Sequence, residues 1–180
     1  RIDIDDVCKP NRLEIQKLFM DENPEVSILG GQINLFDDNG VYAKKSVPTG
    51  FKEIEKWSIF RNPLNHSSVM FRRKDVIGLG GYPAVRFTQD FILWIYCLDS
   101  GLIIRNLPIV LCDMFVDKNM FARRGLNYLI YDLKPYFINY QLNRNGLFIL
   151  ISMIGLRAFF NFINSIRYFL QNLISNEKIR

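Results

Sequence analysis

The sequence has little of what staples or interrupts a small domain. Its 180 residues hold 3 Cys, 7 Pro, 11 Gly and a single His. Cys8, Cys97 and Cys112 are odd in number and widely spaced, with no CxxC. That excludes a disulfide-rich secreted module and predicts reduced thiols in a cytosolic setting. There is no internal repeat and no low-complexity tract. The uncharged run Leu147–Leu156 is ten residues long, too short to span a bilayer by itself. The chain opens at Arg1, without Met, directly on an acidic cluster. The natural N-terminus is therefore expected upstream, and the lack of a visible signal peptide carries no information.

What is present is apolar. Hydrophobic residues make up 49% and aromatics 14%, with 15 Phe, which excludes a disordered tail and a collagen-like repeat and predicts a genuine core. Charge is unevenly placed. Residues 1–122 carry 15 basic and 16 acidic side chains, whereas residues 123–180 carry 8 basic and 2 acidic ones. The whole positive excess, +5 over the chain, thus belongs to the last third. A near-neutral body with a basic, aromatic tail suits an anionic surface partner.

Local patterns predict alternating elements. Pro10 suits the first turn of a helix, Arg12–Met20 reads as helical, and Asn23-Pro24 ends it. Val26–Leu29 and Gln32–Phe36 read as short strands, and Asp37–Gly40 as a turn returning through Val41-Tyr42. A helix follows at Phe51–Phe60, a buried strand at Ser67–Arg72 and a helical turn at Lys74-Asp75 ending in Gly78–Gly81. Thr88 is placed to cap a helix from Gln89 to Leu98, closed by Ser100-Gly101. Leu102–Asn106 and Ile109–Leu111 read as strands. From Met120 the pattern is helical, interrupted at Pro135 and Asn143–Gly146. Strands alternating with helices imply an α/β or mixed-sheet architecture.

Asp3 and Asp5 stand i, i+2. In an extended segment their carboxylates share a face and can reach one hard cation, while Asp6 points away and favours the following helix N-terminus. On spacing alone the same residues also fit a solvated, capping loop.

Wider context distinguishes these readings. Arg1–Asp6 followed by Pro10-Asn11-Arg12-Leu13-Glu14-Ile15-Gln16 resembles the Asp-x-Asp region of family 2 glycosyltransferases of the GT-A fold, which continues through Pro-x-Arg-Leu-Glu-x-Gln. Asn62–Arg73, Gly80-Gly81-Tyr82, Gln89–Trp94, Leu107-Pro108 and Arg123-Arg124-Gly125 fit the same family in the same order. The resemblance covers residues 1 to about 130. It implies an α/β fold, part of a GT-A (Rossmann-like nucleotide-diphospho-sugar transferase) sheet over residues 1–122, with amphipathic helices in 123–180.

The resemblance also implies roles. Asp3 and Asp5 match the pair that holds a divalent metal, Mg²⁺ or Mn²⁺, on the diphosphate of a nucleotide-sugar. Asp90 matches the base that deprotonates the acceptor hydroxyl in an inverting displacement. It stands where a helix begins, so it could equally only cap it. Gln89 replaces the Glu of many relatives. Asp6, His66, Gly81, Gln89, Trp94, Arg123 and Arg124 are the candidate donor and acceptor contacts. Each has a plainer reading. His66 fits a hydrogen-bonded structural residue, Gly80-Gly81 a tight turn, Trp94 the core, and the Arg pair a face toward solvent or lipid headgroups.

Read as a helix, Arg157–Ser175 gathers Arg157, Asn161, Asn164, Ser165, Arg167, Gln171, Asn172 and Ser175 on one face, opposite Phe, Ile and Leu residues. This suits a helix lying in the membrane plane with its basic side wet, or one packed on the protein's own core. Nucleic acid is excluded as partner because the aromatics do not share a face with the arginines. The resulting expectation is an enzyme acting at the inner, cytoplasmic face of the cell membrane, transferring a sugar from a nucleotide donor to a glycan or lipid-linked acceptor. The alternative is a non-catalytic membrane-associated module with a structural acidic loop. In the resembling family a nucleotide-binding half precedes the Asp-x-Asp motif. The 180-residue polypeptide by itself is thus expected to give no sugar transfer, and detectable transfer in a radiolabelled-donor assay would refute that.

Overall fold

The computed structural model describes residues 1–117 and 128–177. Two long strands, β2 (Val26–Asp37) and β5 (Ile103–Phe115), run parallel side by side. On the outer edge of β5 lies the short antiparallel β1 (Val7–Cys8). The far edge of β2 pairs antiparallel with β4 (Met70–Phe71) and then β3 (Gly40–Lys45). Helix α1 (Arg12–Glu22) supplies Met20 to an apolar layer with Val26, Leu29, Leu107 and Leu111. A second layer joins Ile28 and Ile104 to Ile54 of α2 (Phe51–Trp57), Val76 of α3 (Arg73–Gly78) and Leu93, Trp94, Cys97 and Leu98 of α4 (Gln89–Asp99). Successive residues of one strand, Ile28 and Leu29, feed different layers, as strand alternation requires. The result is the expected mixed α/β architecture, consistent with a partial Rossmann-like fold. The described residues divide into two compact units, Arg1–Val85 with Gln89–Val116, and Arg86–Thr88 with the C-terminal helices. The expected boundary at residues 122/123 lies outside the described residues.

The two short strands read on either side of Gly30-Gly31 are one. Gly30 lies inside β2 because its neighbours leave no room for a side chain: a Cβ there would stand 2.4 Å from Asn106 Oδ1 and 2.8 Å from Leu64 Cδ2. The two strands read around Leu107-Pro108 also merge. Proline donates no backbone hydrogen bond, and the pairing jumps from Gly31↔Leu107 to Gln32↔Val110. The Gln32 side chain repairs this bulge, its Nε2 donating to the Leu107 carbonyl at 3.0 Å.

Ser67–Arg72 is not one strand. Residues His66–Ser68 form a 3₁₀ turn, and only Met70–Phe71 pair as β4. Side-chain hydrogen bonds hold the turn to the sheet. Asn65 Nδ2 donates to the Gly31 carbonyl at 2.9 Å, and Ser68 Oγ lies 3.1 Å from the Gly31 N–H. Asn106 Nδ2 reaches the carbonyls of Pro48 at 2.7 Å and Pro63 at 3.0 Å. The buried Gln16 of α1 donates to Leu29 and Ser68 carbonyls, and buried Arg12 holds Gln16 Oε1 at 3.0 Å. Arg12 and Gln16 of the Pro-x-Arg-Leu-Glu-x-Gln stretch are therefore internal struts.

Helix ends follow a shared rule. After α3, Gly80 (φ +89°) donates to Ile77 and Gly81 to Val76, closing the last turn through a left-handed residue. The ends at Gly101 and Asn143 repeat the pattern. Thr88 does not cap α4 as expected. It adopts φ +59°, whereas a capping residue is extended, and its hydroxyl lies 2.7 Å from the Phe87 carbonyl and 3.1 Å from that of Tyr131. The second contact explains another departure. Pro135 sits inside α5 (Leu129–Gln141) instead of interrupting it; proline leaves the carbonyl four residues earlier without its helical donor, and that carbonyl is Tyr131's.

α5 turns at Asn143–Gly146 into α6 (Leu147–Glu177). Arg157 and Asn161 of the polar stripe of α6, expected to face water, instead meet α5. Arg157 lies 3.7 Å from the Asp132 carboxylate, and Asn161 donates to it at 3.2 Å. Arg157 also donates to the Tyr136 hydroxyl, its guanidinium 5.2 Å from that ring's centre.

Asn106→Leu keeps the volume at this clasp and leaves the Pro48 and Pro63 carbonyls without their side-chain donor. We expect it to lower unfolding stability by about 3 kcal/mol in urea denaturation; an unchanged midpoint would contradict the clasp's role.

Candidate active site

The acidic opening is a turn. Asp6 donates its N–H to the Asp3 carbonyl at 3.2 Å, so Asp3 and Asp5 are not on one face of an extended strand as expected. Asp is favoured at the first position of such turns. Pairing of β1 with β5 then fixes the segment, with Lys9 Nζ 2.8 Å from the Asp113 carboxylate. Asp6 does not serve the α1 N-terminus either; its Oδ1 accepts the Phe115 N–H at 3.0 Å. Its Oδ2 is buried and has no hydrogen-bond partner among the described residues. Burial pushes the Asp6 carboxyl above the usual carboxylate range, opposed by the neighbouring Ser67 hydroxyl and the Phe115 N–H and reinforced by the charges of Asp5 and Asp3. Asp5 is exposed, and Asp3 pairs with Arg1 at 2.6 Å, an exposed contact worth little in stability.

One short stretch, Asn62–Ser68, connects this turn to α4. Ser67 Oγ donates to Asp3 Oδ2 at 3.2 Å, and Asn62 Nδ2 donates to Asp90 Oδ2 at 2.7 Å. Asn62 is held for this task by its own turn, its Oδ1 accepting the Leu64 N–H at 3.2 Å. Asp90 is half-buried in the first turn of α4, and its Oδ1 has no donor among the described residues. That oxygen is the one available to a hydroxyl.

His66 lies between these two contacts along the stretch. Its Nε2 is 2.9 Å from the Tyr82 hydroxyl, and the two rings meet edge to face 5.6 Å apart. Trp94 lies beneath both, with ring centres 6.3 Å from His66 and 6.4 Å from Tyr82. It is fully buried in the core, so it supports the pair and offers no surface to a ligand. Burial lowers the His66 pKa below 6.5, against the raising effect of the Asp90 and Asp3 carboxylates. Burial likewise pushes the Tyr82 hydroxyl up to about 12. Near neutral pH the pair is therefore an uncharged donor–acceptor couple.

Gly81 (φ +74°) completes the end of α3 and delivers Tyr82 to His66. Gln89 opens α4 half-buried. Arg123 and Arg124 lie outside the described residues. The structure thus brings Asp3, His66 and Asp90 together through hydrogen-bonded neighbours. Asn62, Ser67 and Tyr82 carry no role legible in the sequence, since only the fold shows whom each one faces. The cysteines are free; Cys97 and Cys112 are buried, their thiols pushed up to about 12 and about 11 by burial.

As a cation site the acidic turn offers only oxygen ligands, including one buried, unpartnered carboxylate oxygen, and this chemistry fits a hard divalent ion. Among the described residues no group of three or more His, Cys, Asp or Glu is arranged to hold an ion alone. Such an ion would thus take further ligand oxygens from water or a bound phosphate.

A Rossmann-like sheet with carboxylates at two linked sites is the setting in which similarity becomes informative. No family model matches the chain. It is 37% identical to an uncharacterised glycosyltransferase of Haemophilus influenzae, over 82% of this chain and 55% of that protein. It is 33% identical to the amylovoran biosynthesis glycosyltransferase of Erwinia amylovora, over 81% of this chain and 55% of that protein. It is 34% identical to the UDP-Gal:α-D-GlcNAc-diphosphoundecaprenol β-1,3-galactosyltransferase of Escherichia coli, over 79% of this chain and 53% of that protein. The homologues of this chain are glycosyltransferases, and the chain spans about half the length of these curated relatives.

The folded His66 ring takes a proton less readily than the unfolded one. Its contribution to stability is present above pH 6.5 and is lost as pH falls below that value. NMR titration is expected to give a midpoint below 6.5 that falls further in Asp90→Asn, which removes a raising charge. A midpoint above 6.5, or one indifferent to Asp90, would contradict this geometry.

Proposed function

We propose that this chain is the metal-binding and acceptor-binding part of an inverting, family 2 glycosyltransferase of the GT-A fold. It transfers a sugar from a nucleotide-sugar to a glycan or lipid-linked saccharide. The observation that carries the reading is the Asn62–Ser68 stretch, which is hydrogen-bonded at one end to Asp90 and at the other to Asp3. The diphosphoundecaprenol named in the Escherichia coli relative and the amylovoran biosynthesis named in the Erwinia relative support a membrane-linked glycan acceptor.

In this reading Asp90 is the general base. Asn62 holds Oδ2, leaving Oδ1 to take the proton from an acceptor hydroxyl. The acceptor oxygen bonds to the anomeric carbon as the bond from that carbon to the diphosphate breaks, and the nucleoside diphosphate leaves with the electron pair. Inversion follows from attack on the face opposite the leaving group. Asp3 and Asp5, with Asp6 beside them, are the residues that would hold Mg²⁺ or Mn²⁺. When bound, the ion would stabilise the negative charge on the departing diphosphate. The neutral His66–Tyr82 couple, which lies near Asp90 and Asp3, hydrogen-bonds a sugar hydroxyl or phosphate oxygen. Arg123 and Arg124 complement the diphosphate charge. The basic C-terminal segment keeps the enzyme at the cytoplasmic face of the membrane, where the acceptor lies.

In the intact protein, Asp90→Asn is expected to lower kcat by about 10³-fold while leaving the thermal transition in place, as loss of a general base does. Asp3→Asn should raise the divalent-ion concentration needed for half-maximal transfer. Full activity in Asp90→Asn would overturn the assignment.

A further inference from the structure

The helical hairpin of α5 and α6 is built inside out relative to a water-soluble pair. A set of polar side chains meets between its helices, while Lys134 of α5 is exposed: Asp132 of α5 is shared by Arg157 and Asn161 of α6, and Arg157 stacks on the buried Tyr136. Ile138, Leu150 and Met153 are buried, but a further set of large apolar side chains faces outward, with Phe148 82% exposed, Ile130 79%, Phe159 59% and Phe162 54%. A soluble two-helix unit buries the second set and wets the first. In hydrocarbon the preference reverses, because a polar group there must find its partner within the protein.

Length and charge identify the occupant of that outer surface. Leu147–Ile166 is 20 residues long with mean hydropathy 1.8, and 17% of it is buried within the described residues, whereas the core helix of a soluble protein is mostly buried. At about 1.5 Å per residue the segment extends roughly 30 Å, the thickness of a bilayer's hydrocarbon. Arg157 is the one charged residue inside it, and Asp132 pairs with it. Arg144 stands just before the segment and Arg167 just after it in the sequence, in a region carrying 8 basic and 2 acidic residues, which complements anionic headgroups.

We propose that the α5–α6 hairpin is embedded in the acyl chains of an anionic bilayer, with the Asp132–Arg157–Asn161 cluster as its internal polar clasp. This rests on the membrane-associated part of the function proposed above and goes beyond a helix lying on the headgroups.

The test uses the 180-residue chain with vesicles of phosphatidylcholine and phosphatidylglycerol. A fluorophore is placed at Phe159→Cys in a Cys8→Ser background. The chain is expected to float with the vesicles and to stay bound in high salt and alkaline carbonate. Nitroxides deep in the acyl chains should quench the fluorophore more than headgroup nitroxides. Phe159→Asp, at an exposed position where folding does not depend on the ring, should weaken partitioning by about 100-fold. Release by salt, or stronger quenching from the headgroup, would overturn embedding while leaving surface association intact. Failure to float, with formation of a dimer in solution, would show that a second copy covers the face. Asp90→Asn should float like the parent, so loss of transfer and loss of embedding remain separate outcomes.

Discussion

The larger unit depends on buried side-chain amides that clasp backbone carbonyls. Asn65, Asn106, Gln16 and Gln32 each donate into the chain where the sheet ladder cannot. A non-repetitive stretch such as Asn62–Ser68 would otherwise bury peptide groups without partners, each costing about 1–3 kcal/mol. With these donors in place it lies tight against β2. Gly30 belongs to the same constraint, because a side chain there would displace Asn106 and Leu64 together. The precision of the site is thus bought inside the sheet, away from the reacting groups.

From this clasp the chemistry follows. Because the stretch is fixed, Asn62 and Ser67 present donors to two carboxylates that the chain order keeps apart, Asp90 and Asp3. His66, between them, is packed against Trp94 and bound to Tyr82, so its burial keeps it neutral. A neutral ring next to these two carboxylates adds no ion pair to either. The acidic turn keeps a buried oxygen of Asp6 without a donor, an arrangement that costs stability and that a bound cation would offset.

Much of this was legible from residue patterns. Helices α1, α2 and α4, the hairpin turn at Asp37–Gly40, the mixed α/β class and the helical tail all follow from periodicity and turn chemistry. The departures share one physical cause, a partner distant in sequence. Gly30-Gly31 reads as a gap between two short strands until Asn106 and Leu64 are known to press on it. Pro135 reads as a break until Thr88 is seen beside the freed Tyr131 carbonyl. The Arg157–Asn161 stripe reads as a wet face until Asp132 is found opposite. The acidic residues, Asp90 and His66 stood out by type, but the contacts of Asn62 and Ser67 did not, because an amide or hydroxyl declares no partner in sequence.

In the proposed mechanism Asn62 acts through Asp90, by holding one carboxylate oxygen so that the other can take a proton. The most direct measurement is a double-mutant cycle on transfer in the intact protein, with Asn62→Ala, Asp90→Asn and the pair. Asn62→Ala is expected to slow kcat and shift its pH profile while KM for the donor holds, and the double variant to be no slower than Asp90→Asn alone. Losses that multiply in the double variant, with an unshifted pH profile, would show that Asn62 acts independently and would contradict it.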